Sequence, residues 1–125
     1  MRTDSQFNFL QVRDGKTYFA RVTLLPNPQI EGIKIVGKAG AQIPNSNVDW
    51  LEAARSGAEK ALQAHIETGG SNVGLEVVNV LGTEVDTTKD SLEVAAFCAA
   101  WKALGHDESA LKIEFNGHWV ISKRD

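Results

Sequence analysis

The sequence predicts an α+β fold, with two helices on one face of a sheet of about four strands and a β-hairpin appended at the end. Three stretches predict it. Gly74–Gly105 holds a β-branched strand, a turn and the most apolar helix of the chain. Asp14-Gly15 stands between two apolar runs, a strong hairpin signal. Asn116-Gly117 stands between Ile113-Glu114-Phe115 and Trp119-Val120-Ile121, the other strong hairpin signal, a two-residue turn that puts His118 directly across from Phe115.

The first hairpin pairs Phe7–Val12 with Thr17–Leu25 across Arg13-Asp14-Gly15-Lys16. Strand alternation puts Tyr18, Ala20, Val22 and Leu24 on one face, and Phe19, Arg21, Thr23 and Leu25 on the other. Pro26-Asn27-Pro28 is expected to end that strand, because proline brings no ladder donor. Ile33–Val36 reads as a third strand. A helix is expected from Ser46 or Asn47, with Leu51, Ala54, Ala58, Ala61, Leu62 and Ile66 on one face. That stripe is mostly small, so the helix can lie close against the Leu92–Leu104 helix.

Gly69-Gly70-Ser71-Asn72 returns the chain to the strand Leu75–Leu81. In Thr87-Thr88-Lys89-Asp90, a Thr followed by an Asp three residues later is a helix-start pattern, and Gly105 supplies a left-handed stop. The helix between them is apolar over more than a single stripe, so it must be buried on more than one side.

The 125 residues fit one domain, 1–125, with 106–125 as the appended hairpin; 42% hydrophobic and 23% charged residues are ordinary for a globular protein. No apolar run approaches the roughly 20 residues of a membrane helix. The first ten residues lack the apolar centre of a signal peptide, so a cytoplasmic setting is expected. Cys98, the one cysteine, falls inside the apolar helix and reads as a small buried hydrophobe. Net charge is −3 but uneven: residues 1–60 carry eight Lys/Arg against six Asp/Glu, and residues 61–125 carry five against ten. That asymmetry permits a basic patch on the first half without demanding nucleic-acid binding.

Two candidate surfaces follow. A sheet face with Phe19, Arg21, Lys34 and Lys38, and with Arg13 and Lys16 at its edge, could neutralise phosphates and stack a base. A solvated face is the competing account, since sheet residues not turned to the core must face somewhere polar. Phe97 and Trp101 lie four apart on the apolar helix and need cover. Either Phe115, Trp119 and Ile121 of the hairpin supply it, or a second copy of the chain does, with Phe97, Trp101 and Trp119 as the interface. His65, His106 and His118 are scattered without metal-ligand spacing and are expected in structural or surface roles. No catalytic, metal or cofactor site is expected.

Four stretches resemble domain IV of the translational GTPase elongation factor G. They are Tyr18-Phe19-Ala20-Arg21-Val22 with Leu25-Pro26, and Ile35-Val36-Gly37. Ile43-Pro44 with Ala54, Gly57 and Ala61-Leu62 makes the third, and Val77, Val80, Gly82, Val85-Asp86, Phe97 and Ala99-Ala100 the fourth. The likeness covers residues 10–105. It implies a two-layer sandwich of the ribosomal-protein domain 2-like kind, with a mostly antiparallel mixed sheet and both helices on one face. The tip loops through which the family works at the ribosome are not matched. The first hairpin here has only Arg13-Asp14-Gly15-Lys16, and the turn after Leu81 is short, with no His. A phosphate loop of the GxxxxGK[ST] type is missing too.

The function expected is therefore a non-catalytic binding module on a translation-factor-like scaffold, with a protein partner or itself. An RNA- or ribosome-binding domain is the alternative, and a small enzyme the third reading.

Overall fold

The computed structural model describes residues 5–35, 48–82 and 86–123. Along the chain these form β1 (Ser5–Arg13), β2 (Lys16–Asn27), β3 (Ile33–Ile35), α1 (Val48–Glu67), β4 (Gly74–Leu81), α2 (Lys89–Ala103), a 3-10 turn at Glu108–Ala110, β5 (Leu111–Phe115) and β6 (Trp119–Lys123). The first four strands make one mixed sheet in the order β1-β2-β4-β3, and β5 and β6 make a separate two-stranded sheet. β1/β2 and β2/β4 are antiparallel, while β3 and β4 are parallel neighbours joined through α1. The expected α+β architecture is therefore present. The beginning of α1, expected at Ser46 or Asn47, and the Ile43-Pro44 loop lie outside the described residues.

Asp14 (φ 54°) and Gly15 (φ 77°) make the first hairpin a two-residue turn, with Arg13 opposite Lys16. Two consecutive left-handed residues match the twist of the flanking strands. The second hairpin departs from its expected register. Its loop has three residues, and Phe115 pairs with Trp119 rather than with His118. A shift of one residue exchanges the faces of a strand. In the observed register the Trp119 ring meets Phe9 edge-on, with centroids 4.9 Å apart.

β2 runs through Pro26 to Asn27 instead of ending before it. Even-numbered residues of β2 bond toward β1, whose described register ends at Ser5 opposite Leu24. The missing Pro26 donor thus falls where no described strand needs it. A bulge between Thr23 and Leu24 skips Val78, so β4 buries Leu75 and Val77 and then Val80.

Ala20, Val22 and Leu24 of β2 join Leu75, Val77 and Val80 of β4 in a core covered by the helices. α2 is buried at ten of its fifteen positions, in keeping with its apolar sequence. It packs against α1, β1 and β2, and meets β6 at its start. Gly57 brings the two helices close: a Cβ there would collide with the Glu93 carbonyl. The start of α2 is capped one residue later than the Thr87/Asp90 pattern suggested. Thr88 Oγ1 accepts from the Ser91 amide at 3.3 Å, and Ser91 Oγ accepts from the Thr88 amide at 2.9 Å. Asp90 Oδ1 accepts from the Thr88 hydroxyl, which leaves Oδ2 for a second partner. Its Oδ2 accepts the Trp119 amide at 2.5 Å and ties the hairpin to α2.

Candidate functional site

One face of the four-stranded sheet carries the helices and the hairpin; on the other, called the open face, no described helix or strand packs, although Thr23 there is buried. Alternation along β1 and β2 builds the open face from cross-strand pairs: Gln6 with Thr23, Asn8 with Arg21, and Leu10 with Phe19. Thr23 Oγ1 donates to Gln6 Oε1 at 3.4 Å, and Arg21 Nε donates to Asn8 Oδ1 at 2.5 Å. The last pair is apolar. Leu10 is 62% exposed, and Val12 beyond it 64%. Lys34 of β3 sits beside Glu76 of β4, and Glu76 accepts from Asn27 Nδ2 at 3.1 Å. The surface is thus an apolar strip at the hairpin end, a fixed arginine in the middle, and a mixed-charge region at the far end.

The six residues expected to form a basic patch divide. Phe19, Arg21 and Lys34 share the open face. Arg13 and Lys16 fall on the opposite face, because they are in phase with Phe9 and Ala20, which point into the core. The Arg13 guanidinium lies 5.8 Å from the centre of the Trp119 ring, and the Lys16 ammonium 5.0 Å from that of Tyr18. Lys38 lies outside the described residues. Among the described residues, the fold thus separates Arg13 and Lys16 from Arg21 and Lys34.

Phe97, Trp101 and Trp119 are 5%, 2% and 4% exposed, so none of the three offers its ring to a partner. The chain covers them itself, in a way that apolar periodicity does not reveal. Trp119 packs on Phe9 and Tyr18. Trp101 is roofed by His106, whose ring stacks on it at 3.9 Å and 15°, and Trp101 Nε1 donates to the Asp107 carbonyl at 3.2 Å.

Both helices end in the same motif, and the two ends meet. In α2 the Gly105 amide donates to the Lys102 carbonyl and the His106 amide to the Trp101 carbonyl. In α1 the Gly69 amide donates to the Ile66 carbonyl and the Gly70 amide to the His65 carbonyl. These are paired Schellman turns, with Gly69 (φ 94°) and Gly105 (φ 92°) in the left-handed position. They bring His65 Nδ1 within 2.7 Å of His106 Nε2. The glycines at 69 and 105 signalled both helix ends in the sequence. Nothing in the sequence signalled that those ends adjoin.

The other groups with chemistry in them are engaged in structure. Cys98 is buried and forms no disulfide. A cleft of about 340 Å³ runs between the helices and β6, lined in part by Lys60, Asp90, Glu93 and His118. Within it Lys60 pairs with Glu93 and Asp90 holds the Trp119 amide. Among the described residues, no three His, Cys, Asp or Glu side chains converge as metal ligands, and no helix is long and apolar enough to cross a membrane.

No protein-family model matches the chain, and no curated protein matches it. Among solved structures the fold is similar to part of a protein from Thermus thermophilus, with a TM-score of 0.61 and 22% identity. The match covers 84% of this chain and 16% of that one, so the chain spans about a sixth of the length of the protein it matches. At that identity the likeness is one of fold.

Proposed function

We propose that the chain is a non-catalytic binding module whose recognition surface is the open face of the four-stranded sheet. The observation that carries this reading is the apolar Leu10–Phe19 pair, with Leu10 exposed and Phe19 half-buried, set beside the fixed Arg21. Apolar side chains flanked by an arginine are the composition of protein interfaces, so the partner is a protein or a second copy of the chain. The working compartment is the cytoplasm, where the Cys98 thiol stays reduced. For the scaffold, the reading is that of elongation factor G domain IV. Its support is the resemblance of residues 10–105, the mixed four-stranded sheet under two helices, and the fold likeness to one part of a much larger protein.

The test is capture of partners from the native lysate by wild type and by Phe19→Ala and Arg21→Ala, with and without RNase. A protein partner that survives RNase and about 0.2 M salt, and is lost with either variant, is the expected result. Partners retained by both variants would remove the open face from the proposal.

A second reading, RNA or ribosome binding, is favoured by one observation: Phe19 and Arg21 lie on the same face, a ring and a guanidinium side by side along β2. It predicts material that disappears with RNase, and affinity that falls steeply with salt. Arg21→Ala and Lys34→Ala would then weaken binding to all sequences alike.

A further inference from the structure

We propose that the free edge of β1 pairs antiparallel with β1 of a second copy, joining two four-stranded sheets into one. The inference deepens the binding-module reading and rests on it.

β1 is an outer strand of the sheet. Arg13 and Lys16 flank a two-residue turn and so exchange the first ladder hydrogen bonds, which assigns the odd-numbered residues of β1 to bonding with β2. The even-numbered residues Gln6, Asn8, Leu10 and Val12 therefore aim their amides and carbonyls outward. One of these groups is capped: Lys102 Nζ of α2 donates to the Gln6 carbonyl at 3.3 Å. Among the described residues, the backbones of Asn8, Leu10 and Val12 have no partner on that side.

Natural sheets guard such edges with charge, proline, a bulge or a covering element. From Gln6 to Val12 the strand has no charge, no proline and no glycine, and its nine residues pair with β2 without a bulge. The other edge strand, β3, has three residues with Lys34 at its centre. Independently, Leu10 and Val12 are the two most exposed large apolar side chains among the described residues, and both stand on this strand. A strand added there would satisfy the outward backbone groups and cover both side chains.

The occupant follows from symmetry and charge. The free set Asn8, Leu10, Val12 is centred on Leu10, so a two-fold axis at Leu10 uses all of it and nothing else. Leu10 then faces its own copy, and Asn8 faces the second copy's Val12. Arg13 falls opposite the second copy's Phe7, so no like charges meet. At each end the second copy's turn residue Asp14, just past its Arg13, comes nearest Gln6, whose carbonyl bears the Lys102 ammonium. Opposite charges close both ends of the contact, as an isologous interface requires.

Sedimentation of the full chain from micromolar to millimolar concentration tests this, with wild type beside Leu10→Pro. A proline at position 10 removes only an outward donor and leaves the ladder to β2 intact. Wild type is expected to dimerise with concentration, and Leu10→Pro to dimerise at least about tenfold more weakly, since two symmetry-related hydrogen bonds are lost. If Leu10→Pro fails to fold, Leu10→Cys replaces it. Across the axis the two Cα atoms of an antiparallel pair would stand about 5.5 Å apart, within disulfide reach. Oxidation should then cross-link Leu10→Cys and leave Lys34→Cys monomeric. A wild type that stays monomeric throughout overturns the pairing. So does a dimer that neither Leu10→Pro weakens nor Leu10→Cys traps. A monomer that still captures a protein through Phe19 and Arg21 overturns the pairing alone. A dimer indifferent to the Phe19→Ala and Arg21→Ala changes, in a protein that captures nothing else, overturns the open face and keeps the pairing.

Discussion

His65 Nδ1 and His106 Nε2 stand 2.7 Å apart, one at the end of each helix, with the Trp101 ring stacked on the second imidazole. One imidazole must donate and the other accept along that line, so each fixes the tautomer of its partner. The pair joins the ends of two helices that are separate in sequence. It also explains a glycine: a Cβ at Gly70 would fall on the His65 ring.

Gly70→Ala should therefore break the pair. The ring must swing away from His106, an overpacking cost of about 1–3 kcal/mol. For a domain of this size that lowers Tm by roughly 3–10 °C, measured by thermal unfolding. A variant melting with wild type would show that the ring has room to yield.

Gly57→Ala sets two effects against each other. Alanine gains about 1 kcal/mol of helix propensity over glycine. Its methyl group would overlap the Glu93 carbonyl and crowd the Ala96 methyl. Backbone cannot step aside as a side-chain tip can, so the clash wins and the variant is expected to be less stable by about 1–2 kcal/mol. Denaturant titration measures the sign directly, and a stabilised variant would contradict the close approach of the helices.

Asp90→Ala removes the acceptor of the Trp119 amide and should loosen the hairpin, at a cost of about 1–3 kcal/mol. Asp90→Asn keeps an acceptor oxygen and should lose less. Hydrogen exchange at the Trp119 amide reports this locally, with faster exchange in Asp90→Ala than in Asp90→Asn.

Asp107 titrates below its ordinary value because the Ser109 amide, 2.9 Å from Oδ1, and then the Ser109 side chain hydrogen-bond its charged form. A lowered folded value means that the contribution to stability is complete above the ordinary carboxylate range and is lost as pH falls through the folded value. Carboxyl NMR should show the lowered midpoint in wild type. In Ser109→Ala it should move only part of the way back, since the backbone donor, the larger cause, remains.

Much of the architecture was legible in the sequence because it is decided locally. Asp14-Gly15 meets the left-handed demands of a two-residue turn, and Gly105 ends α2 by the same freedom. The apolar breadth of α2 announced burial on several sides, and Ala54, Ala58 and Ala61 announced a close neighbour. Strand phase was legible too. It placed Phe19 and Arg21 on one face and, carried back through the turn, it contains the reason that Arg13 and Lys16 lie on the other.

Tertiary structure decided whatever depends on which distant groups become neighbours. Periodicity assigns Phe97 and Trp101 to an apolar face without naming their cover, and His106 became that cover only because the Schellman turn folds it back over Trp101. The Asn116-Gly117 turn favoured a two-residue loop, but burial of Trp119 against Phe9 and Tyr18 selected a register one residue away. His65 and His106 are 41 residues apart in the chain and 2.7 Å apart in space. Local sequence sets how a helix ends; only packing of the two helices through Gly57 brings those ends together.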